Sequence, residues 1–316
     1  MQPSFRISVT VVLFYVIALT IVAKLFYWQI LKAPELASAA ASQRERVAAQ
    51  TPVRGNILAS DGFPLAINQE GFLLYANPQK ITLKPSTLAD MLAPVLAPDL
   101  KEVKIATDAS KEEVAEIREE MVENTASFAE NQLSKDNLVW VLLKKKMAGN
   151  SKREIEELTL EGLGFDPTPL RVYPEASMAA HLLGFLGQDE NGMDKGYFGL
   201  EGFYDLDLSG RVGILKQEMD AINRPIPIGK FWNQKKRDGR HLQLYLNRSI
   251  QFLVESELKE AVERYEAKSG SVVIIDPKSG GIMAMASWPS FEPSYYQKYE
   301  AEDFLNPIVS KVYEPG

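Results

Sequence analysis

Ser271-Val-Val-Ile-Ile275 and Ile282-Met-Ala-Met-Ala286, joined by Asp276-Pro-Lys-Ser-Gly-Gly281, decide how this chain is read. β-Branched residues bounded by Pro and Gly predict two buried antiparallel strands with a short connector. Both runs are apolar on nearly every residue, the pattern of strands covered on both faces. Ser287-Trp-Pro-Ser-Phe-Glu-Pro293 follows, then Asn306, and the sequence closes on Tyr313-Glu-Pro-Gly316. Working outward, Leu242-Gln-Leu-Tyr-Leu246 predicts another strand. Residues 249–266 predict a helix whose Ile250, Leu253, Val254, Leu258, Ala261, Val262 and Tyr265 share one face. Asn247 is placed to cap it.

The chain has 316 residues, enough for two domains with cores of their own. A net charge of −7 with scattered Lys and Arg gives no basic footprint, so no nucleic-acid partner is expected. There is no cysteine, which removes disulfides, thiol nucleophiles and Cys-type metal sites. His181 and His241 are the only histidines, too few for a multi-histidine metal centre, and no metal or cofactor is expected. The acidic stretch 188–194 does not place its carboxylates and Gly on calcium-loop positions. His181, after two alanines and before Leu-Leu, reads as a packed structural histidine.

Residues 7–23 are uncharged and apolar, and Leu25-Phe-Tyr-Trp28 extends the run past Lys24. Residues 7–30 are long enough to cross ~30 Å of hydrocarbon as a helix, with Tyr27 and Trp28 at the headgroup boundary. Ala37-Ser-Ala39 resembles a signal-peptide cleavage site, but it lies far beyond the apolar stretch, so an uncleaved anchor is expected. Residues 34–50, Ala-rich with Gln43-Arg-Glu-Arg46, predict a helical stalk.

Arg54-Gly-Asn-Ile-Leu58 and Pro64-Leu-Ala-Ile67 flank Ser60-Asp-Gly62, a hairpin signal. Residues 82–163 read as helical and charged. Ser110 with Glu113 and Ser151 with Glu154 form two capping-box patterns, and Lys144-Lys-Lys146 reads as a solvated helix face. Arg171-Val-Tyr-Pro174 leads into Ala179-Ala-His-Leu-Leu-Gly-Phe-Leu-Gly187. Gly196-Tyr-Phe-Gly-Leu-Glu201 precedes Tyr204-Asp205 and Leu208-Ser-Gly210. Glycines so spaced, Gly199 among them, imply tight turns and close backbone approach.

These segments together resemble the class B penicillin-binding proteins. The first motif of that family's N-terminal module is matched by Arg54, Gly55, Ile57, Gly62, Leu65 and Ala66, while Ala59 and Ser60 replace an acidic residue and an arginine. Arg171, Tyr173 and Pro174 match the second motif, Gly199 and Glu201 the third. The strand pair and Tyr313-Glu-Pro-Gly316 resemble the lead-in to the nucleophile. Where the family has Asp, this chain has Asn247. The resemblance implies an α+β fold: a cytoplasmic tail (residues 1–6), a single transmembrane anchor (7–30), an elongated pedestal or dimerisation domain (31–238), and the opening of a transpeptidase domain (239–316).

The implied function is peptidoglycan D,D-transpeptidation by an acyl-serine mechanism, acting on stem peptides ending in D-Ala-D-Ala and inhibited by β-lactams. The implied partners are a SEDS-family glycosyltransferase, the membrane and a second copy in a homodimer. The implied location is the bacterial plasma membrane, with most of the chain outside. The expected serine would follow Gly316, so no catalytic residue is expected within the chain, which should neither cross-link nor take up penicillin. A non-catalytic membrane-anchored scaffold of the cell-wall complex is the alternative. Ser256-Glu-Leu-Lys259 is the sole Ser-x-x-Lys, but it falls mid-helix and points away from the apolar face. Lys278-Ser-Gly280 and Ser60-Asp61 imitate later family motifs in the wrong order. Two expectations concern packing. Arg54 or Arg171 should pair with Glu201, against the alternative that each charge is solvated. Residues beyond about Asp238 should form an exposed, protease-sensitive flap.

Overall fold

The computed structural model describes residues 3–105, 110–220, 224–226, 231–312 and 314. The chain forms two compact units, Met1–Pro52 with Arg211–Arg237, and Val53–Gly210 with Asp238–Gly316. In the first, helix α1 (Pro3–Phe26) passes through a π-helical turn (Tyr27–Leu31) to helix α2 (Ala33–Arg44) and strand β1 (Glu45–Gln50). Val9–Leu31 is 23 residues with a mean hydropathy of 2.4 and no buried part, long and apolar enough to cross a membrane. The helical stalk expected over residues 34–50 stops at Arg44. Val47, Ala48 and Ala49 form a ladder with Lys216, Leu215 and Ile214, so strand pairing overrides the helix propensity of alanine there.

The second unit starts with the expected hairpin, β2 (Ile57–Leu58) and β3 (Pro64–Ala76). Asp61 accepts from the Phe63 N–H at 3.0 Å, and Gly62 holds the left-handed conformation (φ +81°) that its Cβ-free backbone permits. Then come α3 (Pro85–Leu96), α4 (Lys111–Leu133), β4 (Val141–Ala148), α5 (Gly149–Glu157) and β5 (Leu163–Val172). Strand β3 is the centre of the sheet, taking β4 along Gly71–Ala76 on one edge and β5 along Ile67–Ala76 on the other. Leu74, Leu88, Leu92, Leu133, Val141, Leu143 and Ile155 close a core between sheet and helices.

Two expectations for residues 82–163 are corrected here. Lys144-Lys-Lys146 lies on strand β4, not on a helix. Alternate burial of Val141, Leu143 and Met147 against the core sets a strand period that a helical reading averaged away. The Ser110–Glu113 capping box forms in full, with Glu113 N–H to Ser110 Oγ at 3.1 Å and Ser110 N–H to Glu113 at 2.6 Å. The Ser151–Glu154 box does not, because α5 begins two residues earlier at Gly149 and Ser151 lies inside it.

Short elements follow: α6 (Ala180–Leu183), β6 (Phe185–Gln188), β7 (Asp194–Tyr197), α7 (Gly199–Phe203) and α8 (Asp205–Ser209). The chain then returns to the first unit as β8 (Gly213–Glu218) and β9 (Phe231–Gln234), giving an antiparallel sheet ordered β1-β8-β9. It re-enters the second unit at β10 (Leu242–Gln243), parallel to β2 and shorter than expected. Helix α9 (Arg248–Arg264) follows, capped by Asn247, whose Oδ1 accepts from the Ile250 N–H at 3.1 Å. The hairpin β11 (Gly270–Ile275) and β12 (Ile282–Trp288) and the short helix α10 (Pro307–Ser310) complete the chain. A second core joins Ile57, Leu65, Tyr173, Met178, Leu183, Leu208 and Leu246.

The expected flap after Asp238 is not what the structure shows. Ala284, Met285, Ala286 and Ser287 are buried beneath α9, and Phe291 and Phe304 enter a third core with Ala180 and Phe185. Phe185 stacks on Tyr296 at 4.4 Å, so aromatic side chains supply cover that the strand pattern alone does not announce. Cover on both faces holds for β12 but not for β11, where Val273 and Ile275 are exposed. On α9 the apolar face is displaced: Leu253 and Tyr265 are exposed, while Gln251 is fully buried.

Candidate functional site

Three segments distant in sequence meet at one carboxylate. Arg54 precedes β2, Arg171 lies near the end of β5 opposite Asn68 on β3, and Glu201 sits in α7. Glu201 is 0% exposed and both arginines are buried. Arg54 donates to Glu201 Oε2 from Nε (2.8 Å) and Nη2 (2.6 Å), and from Nη1 to Asp205 Oδ1 (2.7 Å). Arg171 donates from Nε to Glu201 Oε1 at 2.8 Å and from Nη1 to the Gly55 carbonyl at 2.9 Å and Asn68 Oδ1 at 3.2 Å. The expected pairing therefore takes both arginines at once, one on each oxygen of Glu201. Charges so buried are held only when paired and hydrogen-bonded, and two guanidiniums against two carboxylates balance.

Electrostatics and close packing agree with that arrangement. Burial alone would lower the Arg54 pKa, but Glu201 and Asp205 outweigh it and hold it above its ordinary value. Burial, reinforced by the Glu201 charge, pushes the Tyr173 hydroxyl far above its ordinary range. That neutral hydroxyl accepts from the Leu186 N–H at 2.9 Å. A Cβ at Gly55 would collide with the Arg240 carbonyl, and one at Gly196 with the Glu201 carbonyl, so neither position admits a side chain. Gly199 has φ +44° and lies against the backbone of Leu182 and Gly184. Gly62 and Pro174 stand apart from this cluster, each in an exposed turn, Pro174 in the one closed by Ala176 N–H to the Tyr173 carbonyl.

A second joint links the 173–187 segment to the terminal hairpin. The Gln251 amide brackets one residue of β12, donating to the Met285 carbonyl at 2.9 Å and accepting from the Met285 N–H at 2.8 Å. Gln251 also donates to Glu255 Oε1 (2.7 Å), which accepts from the Ala179 N–H (2.7 Å). Burial raises the Glu255 pKa, against the opposing pull of the Ala179 N–H and the Gln251 amide. His181 Nε2 lies 3.1 Å from the Asp303 carbonyl and its ring meets Phe291 edge-on at 5.2 Å, as a packed histidine would. Burial lowers its pKa. Arg248, at the start of α9, reaches Glu175 (2.6 Å) and Asp61 (3.6 Å) and lies over the Phe63 ring.

Sequence reasoning missed Asn68, Gln251 and Glu255. A signal for the last two was present, since residues 251, 255, 258 and 262 recur at helical spacing and place two polar side chains on a buried stripe. Ser256 is exposed midway along α9, and Lys278-Ser-Gly280 forms the β11–β12 turn, closed by Asp276 accepting from Ser279 Oγ at 2.7 Å. Of Tyr313-Glu-Pro-Gly316 only Glu314 falls among the described residues. Among the described residues no group of three or more His, Asp or Glu side chains is placed to hold a metal ion.

With the anchor-length helix, the sheet built on β3 and the Arg54–Glu201–Arg171 cluster in place, family comparison is direct. Residues 49–244 match the penicillin-binding protein dimerisation domain, and residues 270–316 the penicillin-binding protein transpeptidase domain. The chain belongs to the class B penicillin-binding proteins. It is similar to stage V sporulation protein D of Bacillus subtilis, 30% identical over 97% of this chain and 43% of that protein. It also resembles a probable peptidoglycan D,D-transpeptidase, PenA of Neisseria gonorrhoeae, 25% identical over 100% of this chain and 50% of that one. The chain thus spans about half the length of the curated relatives it matches. Among solved structures, the complex of penicillin-binding protein PBP2 with MreC from Helicobacter pylori aligns with a TM-score of 0.54 at 20% identity, over 84% of this chain and 49% of that one. A peptidoglycan synthetase from Bifidobacterium adolescentis aligns with a TM-score of 0.52 at 23% identity, over 86% and 49%. At those identities the likeness speaks for the fold.

Proposed function

We propose that this chain is the anchor, pedestal and transpeptidase opening of a peptidoglycan D,D-transpeptidase of the bacterial plasma membrane. One observation carries the reading: a dimerisation-domain match at 49–244 followed in order by a transpeptidase-domain match at 270–316. In such an enzyme a serine attacks the carbonyl of D-Ala-D-Ala, a lysine assists proton transfer, and the acyl-enzyme is resolved by the amine of a neighbouring stem peptide. β-Lactams acylate the same serine. Val9–Leu31 crosses the membrane once, and residues beyond it lie on the outer side with the substrate. A SEDS-family glycosyltransferase and a second copy of the chain are the partners this role calls for.

The pedestal contributes position. The Arg54–Glu201–Arg171 cluster fixes β2, β5 and α7 to one another, and the Gln251 and Glu255 bonds carry that fixed frame to β12. The 288–312 stretch is seated on it through Phe291 and Phe304. The test is release of D-Ala from a synthetic pentapeptide stem by this chain fused to the rest of a relative's transpeptidase domain, including its Ser-x-x-Lys. Release that stops when that serine is changed to alanine supports the proposal. No release, or release indifferent to the serine, overturns it.

A further inference from the structure

We propose that the cavity lined by Ser60, Glu175, Met178, Asn247, Ser249 and Phe252 binds a neutral saccharide ring. This rests on the transpeptidase reading only for the source of that ring, the glycan strand that carries the stem peptides.

Three turns distant in sequence build the cavity, and all belong to the second unit. It encloses about 380 Å³, within the ~300–1,000 Å³ of small-molecule sites. The β2–β3 turn supplies Ser60, held in place by its N–H to the Leu246 carbonyl at 2.9 Å. The turn after Tyr173 supplies Glu175 and Met178, closed by the Met178 N–H to the Glu175 carbonyl at 3.0 Å. The start of α9 supplies Asn247, Ser249 and Phe252. Ser60 stands where the family resemblance places an arginine, and its short side chain leaves the room that a guanidinium would take.

Charge decides against an ionic ligand. Arg248 and Asp61 also line the cavity. The guanidinium is engaged by Glu175 at 2.6 Å and Asp61 at 3.6 Å and lies on the Phe63 ring, so it has no open charge for an anion. A cation would have to displace Arg248 from both carboxylates. What stays open is neutral hydrogen bonding. The Ser60 and Ser249 hydroxyls and the Asn247 side-chain NH2 make no hydrogen bond among the described residues, Asn247 Oδ1 alone being taken by the Ile250 N–H. A hydroxyl both donates and accepts, and a carboxylate oxygen takes more than one bond. Beside them stand Met178 and Phe252, the latter 64% exposed one helical turn beyond Arg248. A pyranose presents hydroxyls around its rim and C–H groups on its face, which calls for both kinds of wall at once. A glycan strand held here keeps its stem peptides at raised local concentration beside the transpeptidase domain, which α9 opens.

The full chain in phosphatidylcholine nanodiscs, which carry no sugar, is titrated with chitotetraose and separately with cellotetraose, read by saturation-transfer difference NMR. The proposal expects saturable chitotetraose binding, with the strongest transfer to the axial protons of one ring face, the face laid on Phe252. That pattern needs no variant, so misfolding does not decide the result. Phe252→Ala, which removes the wall, and Ser60→Arg, which fills the cavity, should each bind severalfold more weakly at an unchanged melting temperature. Leu206→Ala changes an exposed apolar residue elsewhere in the second unit and should bind as wild type does. No saturable binding, or binding that both cavity variants leave unchanged, overturns the proposal. So does uptake of cadaverine in place of chitotetraose, which would make the cavity a cation site. Tighter binding of chitotetraose than of cellotetraose supports the glycan strand as the source, and the reverse order overturns it. Release of D-Ala by the fused enzyme is a separate assay, so the saccharide site and the transpeptidase reading can each fail alone.

Discussion

At the scale of single residues, Glu201 carries the most consequence. Changing it to alanine leaves Arg54 with Asp205 alone and takes from the buried Arg171 the carboxylate that holds it. Removing one side of such a buried pair costs about 3–5 kcal/mol, so Glu201→Ala should lose most of the second unit's stability in a thermal melt. A melt within a degree of wild type would mean the cluster is not a tie. Ala176 offers the opposite case. It is exposed and held at φ +50°, where a Cβ costs roughly 1–2 kcal/mol. Glycine relieves that but adds about 0.5–1 kcal/mol of unfolded-state entropy, so Ala176→Gly should be stabilising by about 0.5 kcal/mol, read from denaturant midpoints. Glu255 gives a pH signature. Its folded pKa is raised, first by burial, so the stability it contributes is full below the ordinary glutamate range and is lost as pH rises through the folded value. Glu255→Gln keeps an oxygen for Ala179 and Gln251 and should remove that decline; an unchanged pH profile would place the carboxylate in water. The Arg–Glu–Arg cluster was legible in outline, because three motifs each set one charge beside a structural Gly or Pro. Asn68 was not, since a polar residue inside a strand pattern gives no sign of which partner it faces.

At the scale of elements, the join between α9 and β12 decides how the terminal hairpin is held. Gln251→Leu keeps volume but strips the hydrogen bonds from both the N–H and the carbonyl of Met285, and each buried group so orphaned costs about 1–3 kcal/mol. Amide exchange at Met285 should accelerate by at least an order of magnitude; unchanged protection would mean that water or another group serves that N–H. The β2–β3 hairpin, the β11–β12 pair, α9 and its Asn247 cap were readable from turn residues and periodicity. Strand β4 was not. Its three lysines mask an alternation carried by Val141, Leu143 and Met147, and its place beside β3 is a long-range pairing that local propensity does not encode. The helix-to-strand change at Arg44 has the same cause: Ala48 and Ala49 favour a helix until β8 offers a ladder.

At the scale of the whole molecule, the sequence announced the family by ordered motifs but misjudged how the final segment is covered. Phe291 and Phe304 pack on Ala180 and Phe185, a contact between stretches more than 100 residues apart that no periodicity carries. Limited proteolysis of the detergent-solubilised chain should therefore leave a product running to about Phe304. A first stable fragment ending near Asp238 would restore the flap. The central claim is that this chain is the anchored pedestal and opening of a penicillin-reactive transpeptidase whose nucleophile is not Ser256. Labelling with a fluorescent penicillin, followed by denaturing gel and peptide mapping, tests it most directly. The polypeptide 1–316 should stay unlabelled, and its fusion to the rest of a relative's transpeptidase domain should take one label, on the serine of the Ser-x-x-Lys so supplied. A stoichiometric, heat-stable label on 1–316, or a fusion that takes none, would contradict the account.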